Sequence, residues 1–242
     1  MRVDQLRPFH VQRWLDQQTW SDNYKRGVVT AIKRCFNFAV KAGYIAASPV
    51  ASLDKPAATH RDLVITEKQF QDMIALVSGD EFKDLLRFIW LTGVRPHEAR
   101  LLEDRHIDHV NKIAIFPPKE SKGKKRPRVV HMVDKAYAIA KKWAKQNADG
   151  PVFRNHRGNP WTAYSINNRF SRMEEKLGFK PFAYAMRHSY IHHGLTKGKV
   201  DPVVMATLAG HADTTMIYKV YGHLVKDTKF MRDAARKALQ KQ

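Results

Sequence analysis

Within 40 residues near the C-terminal end stand Arg187, His211 and Tyr221. They lie in Ala183-Tyr184-Ala185-Met186-Arg187-His188-Ser189, in Leu208-Ala209-Gly210-His211 and in Tyr221-Gly222-His223-Leu224. A tyrosine hydroxyl attacks a phosphodiester when guanidinium and imidazole groups stabilise the charge that builds on the phosphate. Arginine suits that task because its planar fork grips two phosphate oxygens and stays charged at any working pH. These residue types are common, so the spacing alone is a weak signal, and the elements upstream must supply the rest.

The composition narrows the partner. The 242 residues carry 43 Lys and Arg against 23 Asp and Glu, a formal charge of +20. Such a surplus costs self-repulsion and points to a polyanion, nucleic acid first among them. A hydrophobic content of 43% argues for a folded chain. Cys35 is the only cysteine, so there is no disulfide frame and no thiolate metal site. Its neighbours Ile32, Phe36 and Ala39 suggest a buried packing residue. His188 and His192 stand four apart, as a metal pair would, but no acidic or thiolate partner lies at ligand spacing, and neither metal nor cofactor is expected. No apolar run reaches the ~18 residues of a membrane span, and no signal peptide opens the chain. The expectation is a soluble, cytoplasmic, nucleoid-associated protein.

The fold class expected is mainly α with a small three-stranded antiparallel sheet. Residues 1–56 read as helical: a short helix around Val11, Trp14 and Leu15, then one capped by Ser21 with Val28, Ile32, Cys35, Phe36 and Ala39 at helical spacing and Gly43 as its stop. Lys25, Arg26, Lys33 and Arg34 lie off that stripe and are candidate DNA contacts. Pro49 and Pro56 give Ser48–Arg61 a linker character, and the boundary is placed at residues 57–65. A second domain, 66–242, opens on the capping box Thr66-Glu67-Lys68-Gln69. Its buried centre is Phe82–Leu91, which ends at Gly93, and Pro96 starts the next helix, leaving Arg95 at a tight turn. Strands are expected at 106–110, 112–116 and 128–133. The hairpin tip between the last two, Pro117–Pro127, is strongly basic; Lys119, Lys124, Lys125, Arg126 and Arg128 read either as a solvated face or as phosphate contacts. Helices capped by Asp134, Thr162 and Asp201 follow, then a short tyrosine-bearing helix from about Thr214 and an amphipathic tail over 225–242.

Taken together, the blocks resemble the tyrosine recombinases, or phage-type integrases, over nearly the whole chain. Thr92-Gly93-Val94-Arg95-Pro96-His97-Glu98 is similar to the family's first arginine box, Ser121-Lys122-Gly123 to the hairpin turn with its general-acid lysine, Arg187 to the second arginine, Gly210-His211 to the histidine that follows, and Tyr221 to the nucleophile. The resemblance implies a site-specific DNA recombinase acting through a 3′-phosphotyrosine. Arg95 and Arg187 would grip the phosphate, Lys122 would protonate the leaving oxygen, and His211 would assist. The partners implied are double-stranded DNA and a homo-tetramer on that DNA, with the 225–242 tail docked on a neighbouring protomer. Residues 1–56 are similar to the last helices of a core-binding domain, and the resemblance implies more helices ahead of them. One position departs: the second box usually reads His-x-x-Arg, and here its first residue is Tyr184, a hydrogen-bond donor at neutral pH but a poor base. Lys119, Lys124 and Lys125 compete with Lys122, and Tyr218 rivals Tyr221. The distance from His211 and the Gly-His-Leu that follows favour Tyr221. Glu98 is expected to buttress the Arg95 turn. A silent DNA-binding protein of the same fold and a type IB topoisomerase are the alternatives.

Overall fold

The computed structural model describes residues 2–59, 63–121, 125–211, 214, 215, 218, 232 and 236. The chain divides into two compact units, Met1–Arg61 and Asp62–Gln242.

In the first unit, α1 (Pro8–Asp16) opens with proline in its first turn, where the missing N–H costs nothing. Helix α2 (Asp22–Lys41) is capped by Ser21, whose hydroxyl accepts the Tyr24 N–H. The core is Val11, Leu15, Val29, Val50 and Leu53, with Ile32 and Phe36 packed against it. Two expectations fail here. Val50 and Leu53 are buried, and Lys33 Nζ donates to the carbonyls of Ala51 and Leu53 at 2.7 and 2.8 Å. Arg26 Nη1 likewise donates to Pro56 O at 2.7 Å. The Ser48–Pro56 stretch therefore belongs to this unit's core rather than to a linker. Cys35 is exposed, not buried. The inward stripe runs through Val29, Ile32 and Phe36, and a residue one position before Phe36 is rotated about 100° away from it.

The second unit begins with Ile65, fully buried, whose N–H is held by the Ser189 hydroxyl at 2.7 Å, so the end of the expected 57–65 linker is also structural. Helix α3 (Glu67–Leu76) has the anticipated capping box: Thr66 Oγ1 accepts the Gln69 N–H and Gln69 Oε1 accepts the Thr66 N–H. Helix α4 (Asp80–Thr92) buries Phe82, Leu85, Leu86, Phe88 and Ile89 and is the hub of the unit. It ends on Gly93, in the left-handed region at φ 60°, where a Cβ would run into the Tyr190 ring. Helix α5 (Pro96–Arg100) follows at once.

The sheet is β1 (Ile107–Asp108), β2 (Ile113–Phe116) and β3 (Arg128–His131), antiparallel in the order β1-β2-β3. The strands are shorter than 106–110, 112–116 and 128–133. Asp108 Oδ1 accepts the N–H groups of Val110 and Asn111 at 2.9 Å, so its side chain ends the first strand in a turn. Helices α6 (Asp134–Gln146), α7 (Ala163–Leu177), α8 (Ala183–Thr196) and α9 (Pro202–Ala209) complete the described elements. Val133 rather than Asp134 occupies the α6 cap position, while Thr162 and Asp201 cap as expected. Helix α4 packs against α6 and α8, and α8 against α9. Among the described residues, no helix is long and apolar enough to cross a membrane.

Candidate active site

Three consecutive carbonyls at the C-terminal end of α9 each accept a hydrogen bond from a different arginine. Arg128 Nη2 reaches Leu208 O at 2.9 Å, Arg187 Nη2 reaches Ala209 O at 2.5 Å, and Arg95 Nη2 reaches Gly210 O at 2.7 Å. The last carbonyls of a helix have no partners of their own and carry the negative end of its dipole. Guanidinium groups satisfy both conditions. Gly210 closes the helix at φ 66°, and a Cβ there would meet Arg128 Nε at 2.6 Å. The glycine is needed for backbone conformation and for space alike.

Each arginine arrives from a different element. Arg95 is the cap residue of α5, and Glu98 accepts both its backbone N–H, at 3.1 Å, and its Nη1, at 2.7 Å. Glu98 thus buttresses the turn as the sequence suggests. Arg187 lies on α8 with no solvent exposure; its Nη1 donates to Gly93 O at 2.6 Å. Burial, then repulsion from Arg95, lowers its pKa to about 10, which still leaves it charged at neutral pH. Among the described residues its buried Nε has no acceptor. Burying a cation with an unused donor is costly, and an anion would relieve that cost.

Arg128 requires a correction. It was expected on the DNA-facing hairpin surface, yet it is 5% exposed, with its Nε 3.5 Å from Glu98 Oε2. Burial and then Arg95 lower its pKa, while Glu98 opposes them. Burial by itself would raise Glu98, but Arg95 and Arg128 hold its pKa below the ordinary glutamate value. Sequence reasoning placed Arg128 with its basic neighbours. The signal it passed over is the period of two: Arg128, Val130 and Met132 are all buried, with His131 exposed between them.

His211 meets the cluster at Nε2, 3.1 Å from Arg187 Nη2. A guanidinium only donates, so Nε2 is the acceptor and carries the lone pair. Tyr184 is 42% exposed on the first turn of α8. Its ring lies 5.9 Å from the Arg187 guanidinium and edge-on to His188 at 5.2 Å. With Arg95, it borders a cleft of about 1010 Å³ that extends to Arg105, Lys119 and Glu120. The structure therefore brings together Arg95, Tyr184, Arg187 and His211. Lys122, Lys124 and Tyr221 lie outside the described residues, as does the 225–242 tail apart from Arg232 and Arg236. Lys119, Lys125 and Arg126 are exposed on the hairpin, as are Arg34 on α2 and Tyr218; Lys25 is half-buried.

The second unit is thus mostly helical with a three-stranded sheet, and three of its arginines converge on the helix end beside His211. The model of the phage integrase family matches residues 64–227. The chain belongs to that family, the tyrosine-type site-specific recombinases. It is 26% identical over 208 residues to tyrosine recombinase XerC of Xylella fastidiosa (strain M23), covering 81% of this chain and 68% of the relative. Among solved structures, the Tn1549 transposon integrase in complex with transposon right end DNA superposes with a TM-score of 0.74 at 19% identity, over 99% of this chain and 87% of that one. A lambda integrase dimer bound to a COC′ core site gives 0.69 at 16% identity, over 91% and 81%.

Proposed function

We propose that this chain cuts and rejoins double-stranded DNA by way of a 3′-phosphotyrosine on Tyr221. The Tyr221 hydroxyl attacks phosphorus, the bond from phosphorus to the 5′ oxygen breaks, and Lys122 protonates that oxygen. His211 Nε2 takes the phenol proton on the lone pair that Arg187 Nη2 frees when it turns to the phosphate. The free 5′-hydroxyl of a partner strand then attacks phosphorus and gives its proton back to Lys122, while the bond to the tyrosine oxygen breaks and that oxygen regains its proton from His211, so bond energy is kept through both steps. Arg95 and Arg187 neutralise the pentacoordinate phosphate. Tyr184 faces the cleft as a hydroxyl donor that orients the phosphate, without serving as the base.

The observation that carries this reading is the convergence of Arg95 and Arg187 on Ala209-Gly210-His211, with Arg187 buried and its Nε lacking an acceptor among the described residues. The charge of +20 and the likeness to integrases solved with DNA support duplex DNA as the substrate. By the same family resemblance, four protomers assemble on the DNA, each docking its 225–242 tail on a neighbour.

A pool of duplexes, nicked and randomised around the nick, traps the covalent intermediate on a denaturing gel. Arg95→Lys and Arg187→Lys keep the charge but lose the fork. They are expected to cut adduct formation by about 100-fold while filter retention of the duplex stays within about threefold of the parent chain. Unchanged adduct yield with both variants would overturn the proposal.

A further inference from the structure

We propose that Glu120 is a positioning residue, the anchor that fixes where the hairpin tip carrying Lys122 leaves β2. This rests on the reading of Lys122 as the proton donor.

Glu120 is held from one side by a short 3-10 turn, Asp104–His106, that precedes β1. Its Oε2 lies 2.9 Å from His106 Nε2. Arg105 grips the same carboxylate with Nη1 and Nη2, both 3.1 Å from Oε1, and Nη2 3.2 Å from Oε2. The grip is itself braced. Arg105 Nε donates to Glu103 Oε2 at 2.5 Å. His106 is 3% exposed, with its ring 4.8 Å from that of Phe116, the last residue of β2. His106 Nδ1 accepts the backbone N–H of Glu103 at 3.0 Å. A backbone N–H only donates, so the neutral ring has one tautomer, with its proton on Nε2 and directed at Glu120.

The backbone beside Glu120 is fixed as well. The N–H groups of Glu120 and Ser121 bond to Pro117 O at 2.9 and 3.1 Å. Ser121 is buried, its Oγ 2.6 Å from Arg126 O and 3.0 Å from Pro118 O, which ties the outgoing strand to the return strand. Lys122 follows Ser121 directly.

Glu120 is 36% exposed in its side chain, and ion pairs of that kind add little to stability. A buried, tautomer-fixed histidine and a bidentate arginine are more than a surface carboxylate needs. They suit a carboxylate that holds a geometry.

The test compares nicked duplexes that differ in the bridging 5′ atom. A thiolate departs without a proton, since a thiol is far more acidic than an alcohol. Loss of the proton donor, or of its placement, should therefore slow only the oxygen substrate. Glu120→Ala is expected to slow cleavage of the oxygen substrate about 30-fold and that of the sulfur substrate less than threefold, with a melting temperature near the parent's. Arg105→Ala should show the same selectivity at smaller amplitude, and it carries the test if Glu120→Ala does not fold. Equal slowing on both substrates, or none on either, overturns the anchor. Lys122→Ala separates the two ideas. Selective slowing there with unselective slowing in Glu120→Ala rejects the anchor alone; unselective slowing in Lys122→Ala rejects the proton-donor reading and the anchor with it.

Discussion

Replacing Arg128 with methionine separates a buried lock from a surface contact. Arg128 and Glu98 are 5% and 2% exposed, and the substitution also removes the donor that serves Leu208 O at 2.9 Å. Removing one member of a buried ion pair costs roughly 3–5 kcal/mol. Glu98 keeps Arg95 at 2.7 Å, and the burial cost of Arg128 itself disappears, so the lower end, about 3 kcal/mol, applies. For a unit of this size that corresponds to a melting temperature lower by roughly 6–12 °C. The assay is thermal unfolding of the intact chain without DNA, paired with DNA affinity across a salt series. The slope of log affinity against log salt should stay within error of the parent, because a buried arginine releases no counterions. A phosphate contact would instead reduce that slope by about 0.9. A melting temperature within about 2 °C of the parent, together with such a reduction, would refute the lock and return Arg128 to the DNA-facing surface.

Further outcomes follow from the same geometry. Glu98 has its pKa below the ordinary 4.5 in the folded state, so its contribution is complete above that value and is lost as pH falls through the folded value. The parent's stability advantage over Glu98→Gln in urea unfolding should therefore shrink below about pH 4.5; an advantage that stays constant down to pH 3 contradicts the ion-paired carboxylate. Gly93→Ala places a side chain at φ 60° against the Tyr190 ring and is expected to destabilise by about 3 kcal/mol; a loss under about 1 kcal/mol by chemical denaturation would show the turn to be tolerant. Cys35 is exposed on α2, so one equivalent of a thiol reagent should react with the native protein at a rate close to that of the unfolded chain, and protection until unfolding would restore the packing role.

Much of the fold was legible because the helices carry their own punctuation. Ser21, Thr66, Thr162 and Asp201 cap where side-chain chemistry dictates, and Gly93 and Gly210 stop helices where only glycine adopts the left-handed turn cheaply. What stayed hidden depends on contacts between distant segments. Arg128 stands in a run of like charges that masks its period of two with Val130 and Met132, and the partners that hold it inward, Glu98 and Leu208, lie 30 and 80 residues away. Val50 and Leu53 look like linker residues until α2 supplies the surface that buries them. In the site, Arg95, Arg187 and His211 could be paired by their motifs, but the three adjacent carbonyls that gather the arginines are backbone groups, which carry no sequence signature. The clamp of His106 and Arg105 on Glu120 was missed for a related reason: charged residues around a hairpin read as solvated until a buried ring is found beneath them.

Covalent attachment through Tyr221 is tested by peptide mapping of the trapped DNA adduct. After nuclease trimming and proteolysis, mass spectrometry should find the nucleotide on the peptide containing Tyr221, with no adduct formed by Tyr221→Phe and parental yield from Tyr218→Phe. A nucleotide on Tyr218, or an adduct that survives Tyr221→Phe, would exclude Tyr221 as the nucleophile.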